Sequence, residues 1–148
     1  MLLDEGWQVR GTSRGVGGLN EIAAAGMEAA EADPERPGTV LDLVGDVTVV
    51  VWLLGSAVGP TTELEAIHGP RLASLLEKLV DTPVRGFAYQ GAGSLDDELL
   101  AGGRAIVSDA AVRWRIPVTF VEGSAGTAQD WADETVRRVV GLIGERSK

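Results

Sequence analysis

Asp46 is followed by Val47-Thr48-Val49-Val50-Val51-Trp52-Leu53-Leu54-Gly55, nine positions that are almost wholly apolar, rich in β-branched side chains and closed by glycine. A run of this length and composition reads as a strand buried on both faces, as in a parallel sheet covered by helices. It is too short to cross a bilayer as a helix, which takes about 20 apolar residues. A covered parallel strand needs partners joined to it by crossover connections, so the rest of the chain is read for strands alternating with helices.

That alternation is present. Residues 1–5 resemble a last helical turn ending at Gly6, and residues 7–10 form a short strand that runs into Gly11-Thr12-Ser13-Arg14-Gly15-Val16-Gly17-Gly18. A helix near residues 19–25 follows, closed by Gly26, then a weak strand over 27–32 closed by Asp33-Pro34, and a short helix over 39–44. Beyond the central strand, Thr61 or Thr62 is placed to cap a helix carrying Glu63 and Glu65 near its start. Gly69-Pro70 interrupts this helix, which resumes over 71–80 with apolar positions 72, 75, 76 and 79. Residues 84–89 predict a fourth strand. Helices over 96–101 and 104–114 are separated by Gly102-Gly103, residues 117–121 predict a fifth strand, and 127–143 a closing amphipathic helix.

The expected fold is therefore α/β: a three-layer, five-stranded parallel sheet in the flavodoxin-like order 2-1-3-4-5, with helices on both faces. The 148 residues suit one domain over 1–148. Ligands on such sheets bind beyond the carboxyl ends of the strands where the order reverses, here between the first and third strands, flanked by residues 11–17 and 54–59.

The formal net charge of -9 opposes non-specific attraction to nucleic acid or an anionic membrane, and neither is expected as a partner. Cysteine is absent, which removes disulfides, thiolate nucleophiles and cysteine metal sites, and no metal site is expected. Asp4 and Glu5 stand where a secretory signal would be basic, so the expected location is the cytoplasm.

Small residues in the 11–18 turn let backbone N–H groups approach a phosphate, and a helix starting directly after the turn adds a favourable dipole. Arg14 supplies a guanidinium able to grip a phosphate such as the 2′-phosphate of NADP. Asp33 lies 33 − 11 = 22 residues beyond Gly11, near the spacing at which an acid reaches a cofactor ribose. The plainer alternative makes residues 11–18 a flexible turn and Asp33 a turn residue before Pro34.

Arg10-Gly11-Thr12-Ser13-Arg14-Gly15-Val16-Gly17 resembles the Thr-Gly-x-x-x-Gly-x-Gly fingerprint of short-chain dehydrogenases/reductases, with arginine replacing the threonine. A second alignment covers more of the chain. In it, residues 6–14, then Glu31-Ala32-Asp33, then Asp46-Val47-Thr48-Val49-Val50, resemble the second, third and fourth strands of the extended, epimerase/dehydratase-like branch of that superfamily. Only about 30 residues separate Gly17 from Val47, room for one strand and a short helix, which favours the second alignment. The resemblance implies a Rossmann-like NAD(P)-binding domain whose cofactor is NADP or NAD. Ser13 and Arg14 would select the adenosine ribose or its phosphate, and Asp33 would sit near the adenine. Gly11, Thr12, Gly15, Gly17, Leu54 and Gly55 complete the expected cofactor set. It also implies that the family's first strand and phosphate loop would precede Met1, so that the chain is either N-terminally truncated or a reduced domain.

The superfamily's catalytic tyrosine and the lysine four residues after it are missing. The single tyrosine, Tyr89, is followed four positions later by Gly93, and the only lysines are Lys78 and Lys148. Tyr89 is expected to be buried with its hydroxyl satisfied. His68, the sole histidine, has no motif linking it to a serine, and no catalytic residue is assigned. The expected function is an NAD(P)-binding relative of epimerase/dehydratase-type oxidoreductases with incomplete catalytic equipment. The alternative is a non-enzymatic protein-interaction or regulatory domain on the same scaffold, with a homodimer covering the open sheet.

Overall fold

The computed structural model describes residues 8–54, 59–91, 95–121 and 128–146. In chain order the elements are β1 (Arg10–Ser13), α1 (Val16–Ala24), β2 (Glu28–Glu31), α2 (Pro37–Leu41), β3 (Val49–Trp52), α3 (Thr61–Ile67), α4 (Pro70–Leu79), β4 (Gly86–Gln90), α5 (Asp97–Trp114), β5 (Val118–Val121) and α6 (Ala128–Arg146). The alternation is that of an α/β protein, and all the strand pairs are parallel.

The strands do not form the single five-stranded sheet expected from the sequence. Among the described residues β1 pairs with β2 alone, and β3, β4 and β5 form a separate sheet in that order. The neighbour relations 2-1 and 3-4-5 are found, but the junction between β1 and β3 is not hydrogen-bonded. A cleft of about 930 Å³ lies there instead. The central strand is accordingly β4, whose five residues are all buried, while β3 forms one edge of its sheet among the described residues.

Two apolar layers sandwich the larger sheet. Val50 and Trp52 point to one face with Phe87 and Tyr89, where they meet Leu72, Leu75, Leu76 and Leu79 of α4. Val49 and Val51 point to the other, against Val139 and Leu142 of α6. Each of the four α4 leucines is almost wholly buried, and each such side chain contributes about 1.5–3 kcal/mol relative to exposure. Their i, i+3, i+4, i+7 spacing makes α4 a one-sided helix, as the sequence predicts.

Several boundaries differ from expectation for local reasons. β1 runs through Gly11, which was placed in the turn. A Cβ there would lie 2.8 Å from Cγ2 of Ile22, so the glycine serves helix packing over the strand. The pair Gly102-Gly103 does not divide α5, which is continuous from Asp97 to Trp114. Gly103 is buried and faces Tyr89, whose hydroxyl occupies the space an added Cβ would take. At the start of α3, Pro60 rather than a threonine is the N-cap, and no side chain caps the helix. Gly26 takes φ 89°, a left-handed conformation that lets the chain turn from α1 into β2.

Candidate functional site

β1 ends at Ser13, and the chain turns through Arg14 and Gly15 directly into α1. Ser13 Oγ accepts a hydrogen bond from Gly15 N–H at 3.3 Å, and its side chain fills the space beside Gly18. The hydroxyl thereby fixes the turn. Gly15 is the N-cap residue of α1 and provides no side-chain cap, nor does any acid stand in the first turn. The first N–H groups of a helix have no intrahelical partners, so this end presents donors and positive dipole without a counter-charge.

Gly15 and Gly17 have open space where a Cβ would be. Nothing in the packing calls for glycine at either position; its effect is to leave the backbone uncovered. Arg14 is about half exposed and makes a long ion pair of 3.7 Å with Glu63 in the first turn of α3. The arrangement suits an anion held between backbone donors and a guanidinium able to turn toward it.

The other expected residues divide. Gly11, Thr12 and Leu54 line the cleft between β1 and β3. Ser13, Arg14, Gly15 and Gly17 stand together at the top of β1 and the start of α1. Asp33 closes a turn after β2: its Oδ1 accepts from Glu35 N–H at 3.0 Å, and its own N–H donates to Thr39 Oγ1 at 2.8 Å. That is the turn role weighed as its alternative. Gly55 lies outside the described residues.

At the other end of the cleft stands a clamp that sequence reasoning missed. Arg10 Nε bonds Glu28 at 3.0 Å, and Nη1 reaches both the Leu43 carbonyl at 2.6 Å and Asp46 Oδ1 at 2.9 Å. One guanidinium thus ties β1 and β2 to the loop that enters β3. Hydrogen bonding to Asp46 and then Glu28 raises the arginine pKa further above its ordinary value, and the same bond lowers that of Asp46.

A buried polar pair lies under the end of β3. His68 Nδ1 is 2.6 Å from the Tyr89 hydroxyl and Nε2 is 2.8 Å from the Leu54 carbonyl. A carbonyl can only accept, so Nε2–H donates to it, and Nδ1 accepts from the tyrosine hydroxyl. The imidazole is neutral in this arrangement. Burial pushes the His68 pKa down, the bond to the Leu54 carbonyl pulling partly the other way. Burial pushes Tyr89 up to about 12, against the opposing field of Arg104. Arg104 itself bonds the Gly91 carbonyl after β4. Tyr89 is buried with a satisfied hydroxyl, as expected. The sequence signal for its partner was the sole histidine placed before the Gly69-Pro70 break.

Among the described residues no group of three or more histidine or acidic side chains is arranged to hold a metal ion. No described helix is long and apolar enough to cross a membrane.

No family model matches the chain, and no curated protein matches it. Two solved structures of Citrobacter sp. triphenylmethane reductase, one of them complexed with NADP(H), are similar in structure. The TM-scores are 0.58 and 0.57, each at 20% sequence identity over 80% of this chain. The shared fold is Rossmann-like. The chain spans about 40% of the length of those neighbours.

Proposed function

We propose that this chain is an NAD(P)-binding, Rossmann-like module related to epimerase/dehydratase-type oxidoreductases, and that the turn after β1 holds the adenosine end of the dinucleotide. The observation that carries this reading is the loosely paired Arg14 guanidinium beside an uncapped helix start whose glycines leave the backbone open. Likeness of fold to an NADP(H)-complexed reductase supports it. In this reading Arg14 grips the 2′-phosphate of NADP, Ser13 holds the turn in shape, and the N–H groups of residues 16–18 add donors. When bound, the cofactor would supply hydride chemistry.

The module is catalytically incomplete in the same reading. Its one tyrosine is committed to His68 inside the core and has no lysine four residues later. Binding, rather than proton transfer, is the activity its own residues favour.

Calorimetric titration with NADPH and NADH tests the reading. NADPH is expected to bind more tightly, and Arg14→Ala is expected to weaken NADPH about tenfold while leaving NADH nearly unchanged, the loss of one charge-assisted pair at an exposed site. Absence of heat with either cofactor at about millimolar concentration, with the protein folded, would overturn it.

A further inference from the structure

We propose that Glu63 tunes the choice between NADPH and NADH, by competing with a 2′-phosphate for Arg14 and by offering its carboxylate to a 2′-hydroxyl. The proposal rests on the reading of the turn after β1 as the seat of the adenosine end.

The way α3 begins makes Glu63 available. The helix starts at Thr61 with Pro60 as its N-cap, which puts Glu63 at the third helical position. An acid at that position commonly reaches back to bond the N-cap N–H. Proline has no N–H, so the bond cannot form here. The Glu63 backbone is engaged, its N–H donating to the Pro60 carbonyl at 3.0 Å, but its carboxylate is not consumed in capping. The carboxylate lies beside Gly59, where an added Cβ would stand 3.5 Å from Oε2. Its charged partner among the described residues is Arg14, with Nη1 3.7 Å from Oε2.

Both groups stand on the side where such sheets take ligands. Arg14 follows the carboxyl end of β1, and α3 follows that of β3. Their separation is too long for a hydrogen bond, and the side chains are 53% and 35% exposed. The pair is therefore held by charge alone, and either member can exchange its partner for a ligand. Asp33, the acid whose spacing matches a ribose contact, has its carboxylate on Glu35 N–H within its own turn. Glu63 is the acid that the fold brings to Arg14.

The two cofactors meet this pair differently. A phosphate monoester carries a charge of about −1.5 to −2. Bonding Arg14 draws it against the Glu63 carboxylate, a like-charge approach that opposes binding. A 2′-hydroxyl instead donates to a carboxylate and makes no demand on Arg14. Glu63 thus lowers the affinity for NADPH and raises that for NADH, narrowing the preference that Arg14 creates.

The test is calorimetric titration of the intact chain with NADPH and NADH, in the native sequence, in Glu63→Gln and in Glu65→Gln. The last removes the same charge from an exposed position two residues along α3. Glu63→Gln should tighten NADPH about three- to tenfold without tightening NADH. Glu65→Gln should change the ratio of the two affinities by less than about twofold. In an Arg14→Ala background the gain from Glu63→Gln should shrink to less than about twofold, because without the guanidinium the phosphate is no longer drawn against Glu63. Thermal unfolding of each variant checks that it is folded. If both cofactors bind and Glu63→Gln leaves their ratio unchanged, or shifts it no more than Glu65→Gln does, this proposal falls and the NAD(P) reading stands. The full gain persisting in Arg14→Ala would also overturn it. If the folded native chain binds neither cofactor, the NAD(P) reading falls and this proposal with it.

Discussion

His68 shows how a single buried side chain imposes a pH limit. Its two ring nitrogens are used in opposite senses, one donating to Leu54 and the other accepting from Tyr89. A second proton would turn Nδ1 into a donor, so that the tyrosine hydroxyl must accept and its own proton loses this acceptor, and it would place charge in a site where the residue is 1% exposed. The folded-state pKa is lowered, so the unfolded chain takes up the proton first. Stability from this group is complete above the unfolded pKa of about 6.5 and falls as pH drops below it, by at most about 1.4 kcal/mol per pH unit. Urea unfolding between about pH 7.5 and 5.5 should show the decline in the native sequence and a flatter profile in His68→Gln. An equal decline in both would place the titrating group elsewhere.

At the scale of elements, adjacent glycines in α5 have opposite meanings. Gly102 is exposed with open space around it, whereas Gly103 is pressed on the Tyr89 hydroxyl. Gly102→Ala should stabilise the fold by about 0.5–1 kcal/mol through helix propensity. Gly103→Ala should destabilise it by roughly 1–3 kcal/mol, because the ring must move and its bond to His68 is strained or lost. Thermal unfolding of the two variants should shift in opposite directions. This pair also shows what was legible in the chain. The period of α4 and the succession of strand, glycine-rich turn and helix over residues 7–25 could be read locally, because burial pattern and turn chemistry are written in neighbouring residues. Gly103 was misread as a break because its reason, Tyr89, is supplied by another element. The existence of a turn within residues 11–18 was legible for the same local reason, though not its bounds, since β1 runs on to Ser13, while the partners of Arg10 and His68 lie on segments far along the chain. An apolar run such as 47–55 says that a strand is covered on its faces; it does not say which strands lie along its edges.

For the whole molecule, that edge question decides how stability is distributed. β1, α1 and β2 make their principal packing contacts with one another, and the remaining elements pack around β3, β4 and β5. α1 contributes no buried residue, while the larger unit holds the leucine, valine and aromatic core. Few apolar contacts mean a low free energy of local opening. Native-state exchange should therefore release the amides of α1 well before those of α4 and β4, with a gap of more than about 1 kcal/mol in opening free energy. Coincident exchange of both regions would show instead that the two sheets open as one.

The ion pair between Arg14 and Glu63 acts on this division as a latch. It spans the far end of the cleft from the Arg10 clamp, and at 3.7 Å it is the looser of the two fastenings. In the proposed reading, a phosphate that recruits Arg14 competes with Glu63 for the guanidinium, so nucleotide binding would loosen the latch. By reciprocity, whatever widens the cleft and draws Glu63 away should raise the affinity of the turn for phosphate, by the same factor with which phosphate favours the open mouth.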